Sequence, residues 1–419
     1  MSVKELIVNA GSSSLKYTVY LMPEQEVLAN GIFEQLTTPK PTFTHKLPDE
    51  NGKLQKVIDK LSLESGADHA AAFKKLIETL TGEEYGVLSS MDEIAAVGHR
   101  VLHGGEKFSG SVVVDESVKE AIRECIPLGP LHNPANLVGI EACEALMPSV
   151  PQVAVFDTAF HQSIAPEAYM YALPYKYYKE YGIRRYGFHG TSHRYVSKRT
   201  AEFLMDKYPG KYDPDTLRVV TCHLGNGSSL AAVKGGKCVD TTMGLTPLEG
   251  ILMGTRSGSI DPAIIPFIMK KEGLSPDEID ALLNKKSGML GLTSDDPNNE
   301  ATSDNRTIEA RAKAGDERAM LVEAMFCHQL TKLIGGFAAA MGGVDAVVFT
   351  GGIGENNPHY RTRVAEKLAF LGTAIDEEPN ALRGKEVEIS TEDSKLKLLV
   401  IPTDEELMIA QDTFELTQK

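Results

Sequence analysis

Leu6-Ile-Val-Asn-Ala-Gly-Ser-Ser-Ser-Leu-Lys16 opens the chain, and Val219-Val-Thr-Cys-His-Leu-Gly-Asn-Gly-Ser-Ser-Leu230 repeats its pattern near the middle. Each is an apolar β-type run, a turn of Gly, Asn and Ser, then a second run, Tyr17 to Tyr20 or Ala231 to Val233. The pattern predicts a hairpin whose tip is made of small polar residues, where positive φ costs little and backbone N–H groups can approach an anion. Two such hairpins half a chain apart predict a duplicated fold that holds a nucleotide between its copies.

The bulk properties narrow the class. With 419 residues, 42% hydrophobic and 24% charged, the chain reads as a soluble globular protein with room for about two domains and large cores. A net charge of -15 argues against a nucleic-acid partner, because phosphate-backbone affinity needs clustered Lys and Arg. An anionic ligand would bind only where local cations overrule that field. Cys125, Cys143, Cys222, Cys238 and Cys327 are scattered, with no Cys-x-x-Cys pair, and read as reduced thiols of a cytoplasmic protein. No leader pattern opens the chain and no apolar run nears the roughly 20 residues that span a bilayer, so neither a signal peptide nor a membrane partner is expected.

Apolar runs bounded by Gly, Pro and Asp recur at Leu6 to Val8, Ala95 to Val97, Val153 to Phe156, Val219 to Thr221, Ala346 to Phe349 and Leu396 to Ile401. Segments of helical period separate several of them: Asp115 to Ile126, His193 to Lys207, Glu317 to Met341 and Tyr360 to Leu371. The alternation predicts an α/β architecture with buried strands. Pro39 to Ala67 reads as a polar hairpin added to the first domain, and Thr293 to Asn305 as a loop. A domain boundary is expected near residue 158.

Several motifs can carry chemistry. Val344 to Pro358 reads as a buried strand, a Gly loop and a helix opened by Pro358, which is either a phosphate cradle or a plain strand-to-helix turn. After the strand Lys397 to Ile401, Thr403 and Glu406 have capping-box spacing, leaving Asp404 and Glu405 as hard-oxygen metal ligands or solvated acids. Arg100 and Arg256 lie among glycines, so each is expected to emerge from a turn and to suit a carboxylate or phosphate. His189, flanked by Gly in a loop, is the catalytic candidate, and His193 a structural hydrogen-bonder. Asp157 ends a strand, where α/β sheets gather their ligands, although helix capping is the rival reading.

Together these stretches resemble the acetate kinase family, in the superfamily of sugar kinases, actin and heat-shock ATPases. The resemblance follows the family's order: Asn9 to Lys16, Gly98-His-Arg100, Leu131-His-Asn-Pro134, Phe156 to His161, Arg185 to His193, His223 to Gly227, Met253 to Gly258, Gly352 to Asn356 and Ile401 to Glu406. It implies two ribonuclease H-like domains forming a nucleotide clamp with an interdomain active-site cleft. The first would span 1–158 and be completed by a C-terminal helix 407–419, and the second 159–406. It also implies reversible transfer of a phosphoryl group from ATP to acetate, giving ADP and acetyl phosphate, with Mg²⁺ or in its place Mn²⁺. A homodimer through the second domain is expected.

Carried over by position, Asp157, His189 and Arg256 match the family's catalytic residues, and Asn9 and Glu405 its metal residues. Arg100, Leu102, Leu131, His132, Phe188 and Pro247 match the substrate site. Lys16, the run His223, Leu224, Gly225, Asn226 and Gly227, the run Asp304, Asn305 and Arg306, and the run Gly352, Ile353, Gly354, Glu355 and Asn356 match the nucleotide site. Acetate is already ionised at neutral pH and needs no general base, so Asp157 is expected to orient Arg256 or a metal-bound water. Leu102 stands where the family often has Val and Asp404 where Asn is usual. A propionate-preferring kinase and a non-catalytic nucleotide clamp are the alternatives.

Overall fold

The structure, a computed structural model, describes residues 2–130, 132–297 and 299–418. It divides into two compact units, Met1–Gln162 with Asp404–Lys419, and Ser163–Thr403.

The first unit is built on an eight-stranded sheet: β1 (Val3–Gly11), β2 (Ser14–Met22), β3 (Glu26–Glu34), β4 (Thr42–Pro48), β5 (Leu54–Ser62), β6 (Ile94–Val101), β7 (Val112–Val113) and β8 (Gln152–Phe156). Their order is β5-β4-β3-β2-β1-β6-β8-β7. β1, β2 and β3 form an antiparallel meander, while β1, β6 and β8 run parallel. The polar stretch after Pro39 is the hairpin β4 and β5 on the meander's edge.

Burial on both faces explains why the parallel strands read as apolar runs. Leu6, Val8 and Ala10 of β1 pack with Phe73 and Leu76 of the helix His69–Leu80 and Cys143 of the helix Asn133–Leu146. Ile7, on the other face, joins Ile409 and Ala410 of the C-terminal helix Glu405–Thr417. That helix lies so close over β6 that a Cβ at Gly98 would run into Thr413 and Ile409. It begins before the expected residue 407, and its cap is not the Thr403/Glu406 box. Asp404 is the N-cap and accepts the N–H of Leu407 at 2.9 Å. Asp404, one residue beyond Thr403, reaches the third helical N–H directly through its carboxylate.

The second unit repeats this strand order in a six-stranded sheet: β9 (Arg218–Leu224), β10 (Ser228–Lys234), β11 (Lys237–Thr241), β12 (Ala346–Thr350), β13 (Val387–Glu388) and β14 (Lys397–Val400), ordered β11-β10-β9-β12-β14-β13. A meander of β9, β10 and β11 is followed by β12 and β14 parallel to β9, as in the first unit. Both units thus carry the ribonuclease H-like order. Val220, Cys222 and Leu224 face a core shared with the helix Glu317–Met341. Thr221 and His223, on the opposite face, meet the helix Gly190–Lys207 through hydrogen bonds. The described residues between Leu292 and Asn305 form no helix or strand, and Arg311, itself paired with Asp316, ties them down through Asp296.

After β12 the expected Gly loop is a short helix, Gly351–Asn356, followed directly by the helix Pro358–Leu368. Gly351 sits at φ 75°, and a Cβ there would approach the carbonyl of Leu224 to 2.8 Å, so a side chain is excluded twice over.

Glu5 is the exception in the first core. It is fully buried on β1 and neither carboxyl oxygen has a hydrogen-bond partner. Burial pushes its carboxyl up to about 8, from an ordinary 4.5. The folded chain therefore keeps a proton that the unfolded chain releases, and this group lowers stability progressively as pH rises from 4.5 to about 8. Glu5→Gln, which keeps the shape without the ionisation, is expected to raise the melting temperature by a few degrees near pH 8 and to leave it unchanged near pH 4. Thermal melts at the two pH values check this; equal shifts at both would show that Glu5 does not titrate in the fold.

Candidate functional site

Because β1, β6 and β8 are parallel, their carboxyl ends lie on one edge of the first unit, and Asn9, Arg100 and Asp157 stand there. Arg100 belongs to β6 itself, paired in register with Val155, and not to the expected turn; the strand continues through Gly98-His-Arg100 to Val101. Its guanidinium forks onto Asp157, with Nε to Oδ1 at 3.0 Å and Nη2 to Oδ2 at 2.6 Å. Nη1 donates to Asn9 Oδ1 at 3.4 Å, and Glu405 Oε2 lies 3.9 Å from Nε. Within this unit Asp157 orients Arg100, a partner that was not expected for it.

Asp157 is 1% exposed in its side chain, and burial pushes its carboxyl above the ordinary range against the pull of Arg100. Burial alone would lower the Arg100 guanidinium, but Asp157 and Glu405 hold it raised and charged. The fork occupies the side-on edge of the guanidinium, which leaves the Nη1/Nη2 end for another planar anion.

Lys16 lies across from Asn9 in the β1/β2 register and is exposed. Burial pushes both Asp404 and Glu406 upward, Glu406 also feeling the Asp404 charge, with Lys16 opposing it. Leu102 is 6% exposed and donates its N–H to Asn136. His132 precedes the helix Asn133–Leu146, and its charge lowers Asp157. Leu131 lies outside the described residues. The reading of sequence missed Asn133 and Asn136, whose amides brace the His103 backbone and join Ala10 to Leu102. The two Asn stand one helical turn apart, but the burial that makes them braces is not visible in the sequence.

In the second unit His189 caps the helix Gly190–Lys207 in the left-handed region, at φ 56°. Its ring stacks on His223 with centroids 4.2 Å apart, and its Nδ1 lies 2.8 Å from Ser229 Oγ. His223 Nδ1 is 2.8 Å from Ser192 Oγ, which also meets Thr403 Oγ1 at 2.8 Å. His189 Nε2 and Arg256 Nη1 converge on Gly227: a Cβ there would stand 3.5 Å and 3.4 Å from them. Arg256 donates to the carbonyl of Pro247 at 3.0 Å, and burial lowers its guanidinium from the usual value. Phe188 is 1% exposed, directly before His189.

A cavity of about 690 Å³ in this unit collects Gly225, Asn226, Asp304, Asn305, Arg306, Gly352, Ile353 and Asn356 from three separated stretches. Its size suits a small organic ligand such as a nucleoside. Other predicted residues lie off its wall. The Leu224 side chain is core, and Gly354 packs on Phe349. Glu355 folds back to accept the N–H of Gly351 at 2.8 Å, so its carboxylate already occupies the anion position at that helix start. The cavity also takes in Glu309, Asn357 and Arg383, which were not anticipated. Asn357 fixes Asn305 through a 3.0 Å hydrogen bond, and Asn305 in turn donates to the Tyr360 hydroxyl at 2.8 Å.

A sequence model of the acetokinase family matches residues 4–411. An acetate kinase of Carboxydothermus hydrogenoformans is 53% identical over 414 residues, which cover 99% of this chain and 99% of the relative. Among solved structures, an acetate kinase of Porphyromonas gingivalis matches with TM-score 0.89 at 47% identity, over 99% of each chain. A propionate kinase of Francisella tularensis matches with TM-score 0.87 at 39% identity, over 99% of this chain and 100% of its own. The strand order of both units, the residues on their strand ends and these likenesses agree: the chain belongs to the acetokinase family.

Proposed function

We propose that this chain is an acetate kinase, which moves the γ-phosphoryl group of ATP to acetate and back, through acetyl phosphate and ADP. The observation that carries the reading is Arg100, a cation held on a strand end with its side-on edge locked by Asp157 and its other end available to a carboxylate. Acetate arrives ionised, so the site needs a charge to hold it and no base. In direct in-line transfer, positioning and neutralisation of the equatorial oxygens do most of the work. His189 and Arg256, meeting over a position with no side chain at Gly227, are the donors for that task. The cavity bearing Asn226, Asp304 to Arg306 and Gly352 takes the nucleoside side of ATP.

The acetokinase family uses ATP and ADP with a divalent metal ion. Asn9 and Glu405 offer hard oxygen donors, and Asp157, Asp404, Glu405 and Glu406 outnumber the cations Arg100 and Lys16 beside them. Burial pushes Asp404 and Glu406 up, with the Asp404 and Glu405 charges adding to it at Glu406, and a hard cation fits this surplus of acids. Among the described residues no group of three or more His, Cys, Asp or Glu side chains is placed to hold a metal alone. The fitting ion is one such as Mg²⁺, or Mn²⁺ in its place, bound by one or two side chains together with phosphate and water; it supplies charge neutralisation at the phosphates. Asn9 and Glu405 would hold it.

The homodimer and the cytoplasm belong to the same reading. Tyr181 and Phe267 of the second unit are each 61% exposed, and large exposed apolar side chains suit contact with a second copy. All five cysteines are buried thiols, as a reducing compartment permits, and among the described residues no helix is long and apolar enough to cross a membrane.

Purified protein with ATP, Mg²⁺ and acetate is expected to yield acetyl phosphate that hydroxylamine traps as the hydroxamate; no hydroxamate would sink the proposal. Propionate should react with a lower kcat/KM, because one methylene is worth about 1–3 kcal/mol of discrimination. Propionate winning that comparison would make the chain a propionate kinase. Arg256→Ala is expected to lower kcat by roughly 10³- to 10⁵-fold. Arg100→Lys, a point charge that cannot fork, should instead raise the acetate KM by about 10- to 100-fold with the ATP KM little changed. Steady-state kinetics on both variants separate the two roles, and the reverse pattern would exchange them.

A further inference from the structure

Arg361 belongs to the helix Pro358–Leu368 and stands outside the wall of the nucleoside cavity, 1% exposed. A guanidinium has five N–H donors, and here all of them are taken. Nε donates to Asn380 Oδ1 at 2.9 Å. Nη1 donates to the carbonyls of Gly354 at 2.8 Å and Glu355 at 3.0 Å, and Nη2 to those of Asn380 at 2.5 Å and Leu382 at 3.1 Å. Every acceptor is an uncharged oxygen, and among the described residues no carboxylate pairs with this cation. Burial, with the Arg383 charge adding to it, lowers the guanidinium to about 10, which leaves it charged at neutral pH.

Burying a cation without an acid is costly, and an apolar side chain would fill the same space without that cost. What an apolar side chain cannot do is answer the carbonyls. Gly354 and Glu355 lie at the end of the six-residue helix Gly351–Asn356, and their carbonyls have no partner within it. Asn380 and Leu382 belong to a separate stretch, which returns to the same helix at Gly384, whose N–H donates to the Glu355 carbonyl at 3.3 Å. Both stretches line the cavity: Gly352, Ile353 and Asn356 from the helix, and Arg383 from between Leu382 and Gly384. The backbone on either side of Arg383 is therefore tied to the helix, through Arg361 at Leu382 and directly at Gly384. Of the charged side chains on the cavity wall, Arg306 pairs with Asp304 and Glu309 with Lys313, whereas Arg383 has no hydrogen bond or ion pair among the described residues.

We propose that Arg361 is a positioning residue of the nucleotide site, which ties the helix Gly351–Asn356 to the stretch Asn380–Gly384 and so presents the Arg383 guanidinium to the purine base. Arg383 is then the binding residue, a planar cation that stacks on the face of the base. The proposal rests on reading the cavity as the place of the nucleoside.

Calorimetric titration with ADP and Mg²⁺ needs no acetate and no turnover. A parent protein that binds no ADP would count against the reading of the cavity, whereas equal binding by parent and variants would overturn the proposal alone. Arg361→Lys keeps the charge but offers three donors at one point in place of a planar fork, so its Kd for ADP is expected to rise about 10-fold. Arg383→Ala, at an exposed position where no bond within the protein is lost, should raise the Kd for ADP and for adenosine by the same factor, about 3- to 10-fold. A rise for ADP alone would put Arg383 on the phosphates and overturn its place at the base. In steady state both variants should raise the ATP KM, with kcat and the acetate KM little changed. Asn380→Ala removes one of the five acceptors; it serves where Arg361→Lys does not fold, and should shift the Kd the same way but less. A folded Arg361 or Asn380 variant that melts at a lower temperature yet keeps the ADP Kd of the parent would reduce the tie to stability and remove the positioning role. Parallel rises in the ATP and acetate KM would do the same.

Discussion

β8 and β12 are buried along their whole length, and a strand covered on both faces has no place for a charge except beyond its last residue. That constraint organises each unit. In the first, Asp157 follows β8, Arg100 stands one residue from the end of β6 and Asn9 near the end of β1. In the second, Gly351 follows β12 and His223 stands one residue from the end of β9. The polar groups of the candidate site gather on one edge of each sheet, where they escape the unpartnered burial that Glu5 meets inside β1.

Charge at those edges is held by pairing more than by exposure. The molecule is strongly acidic, yet Arg100 stays charged because Asp157 grips it through two hydrogen bonds, and Arg256 is steadied by the Pro247 carbonyl. A guanidinium suits both places, since five donors in a fixed plane can satisfy the protein on one edge and a ligand on another. Glu355 shows the converse case. Its carboxylate satisfies the Gly351 N–H within the protein, so an open glycine-rich turn becomes a closed helical one.

The paired hairpins, the parallel strands and the long helix Glu317–Met341 were legible because apolar period and glycine placement are local properties. Thr403 and Glu406 had the right spacing for a capping box, but whether Asp404 or Thr403 caps is decided by where the strand releases the chain, which spacing does not record. Arg100 looked like a turn residue because glycines flank its motif, whereas Gly98 is there to admit the C-terminal helix over β6. Asn136, Glu309 and Asn357 carried no distinctive spacing relative to the residues they serve, being joined to them only across the fold.

The amino-acid sequence by itself determined the two-fold repetition of the sheet, the family and which side chains are proposed for the site, because these depend on residue types in fixed local order. Only the tertiary structure decided their partners: Asp157 to Arg100, Asn9 to Lys16 across a strand pair, Ser229 between two histidines. Hydrogen bonds and charge interactions act over a few ångströms, and residues far apart in sequence come within that range only when strand register and helix packing bring them there.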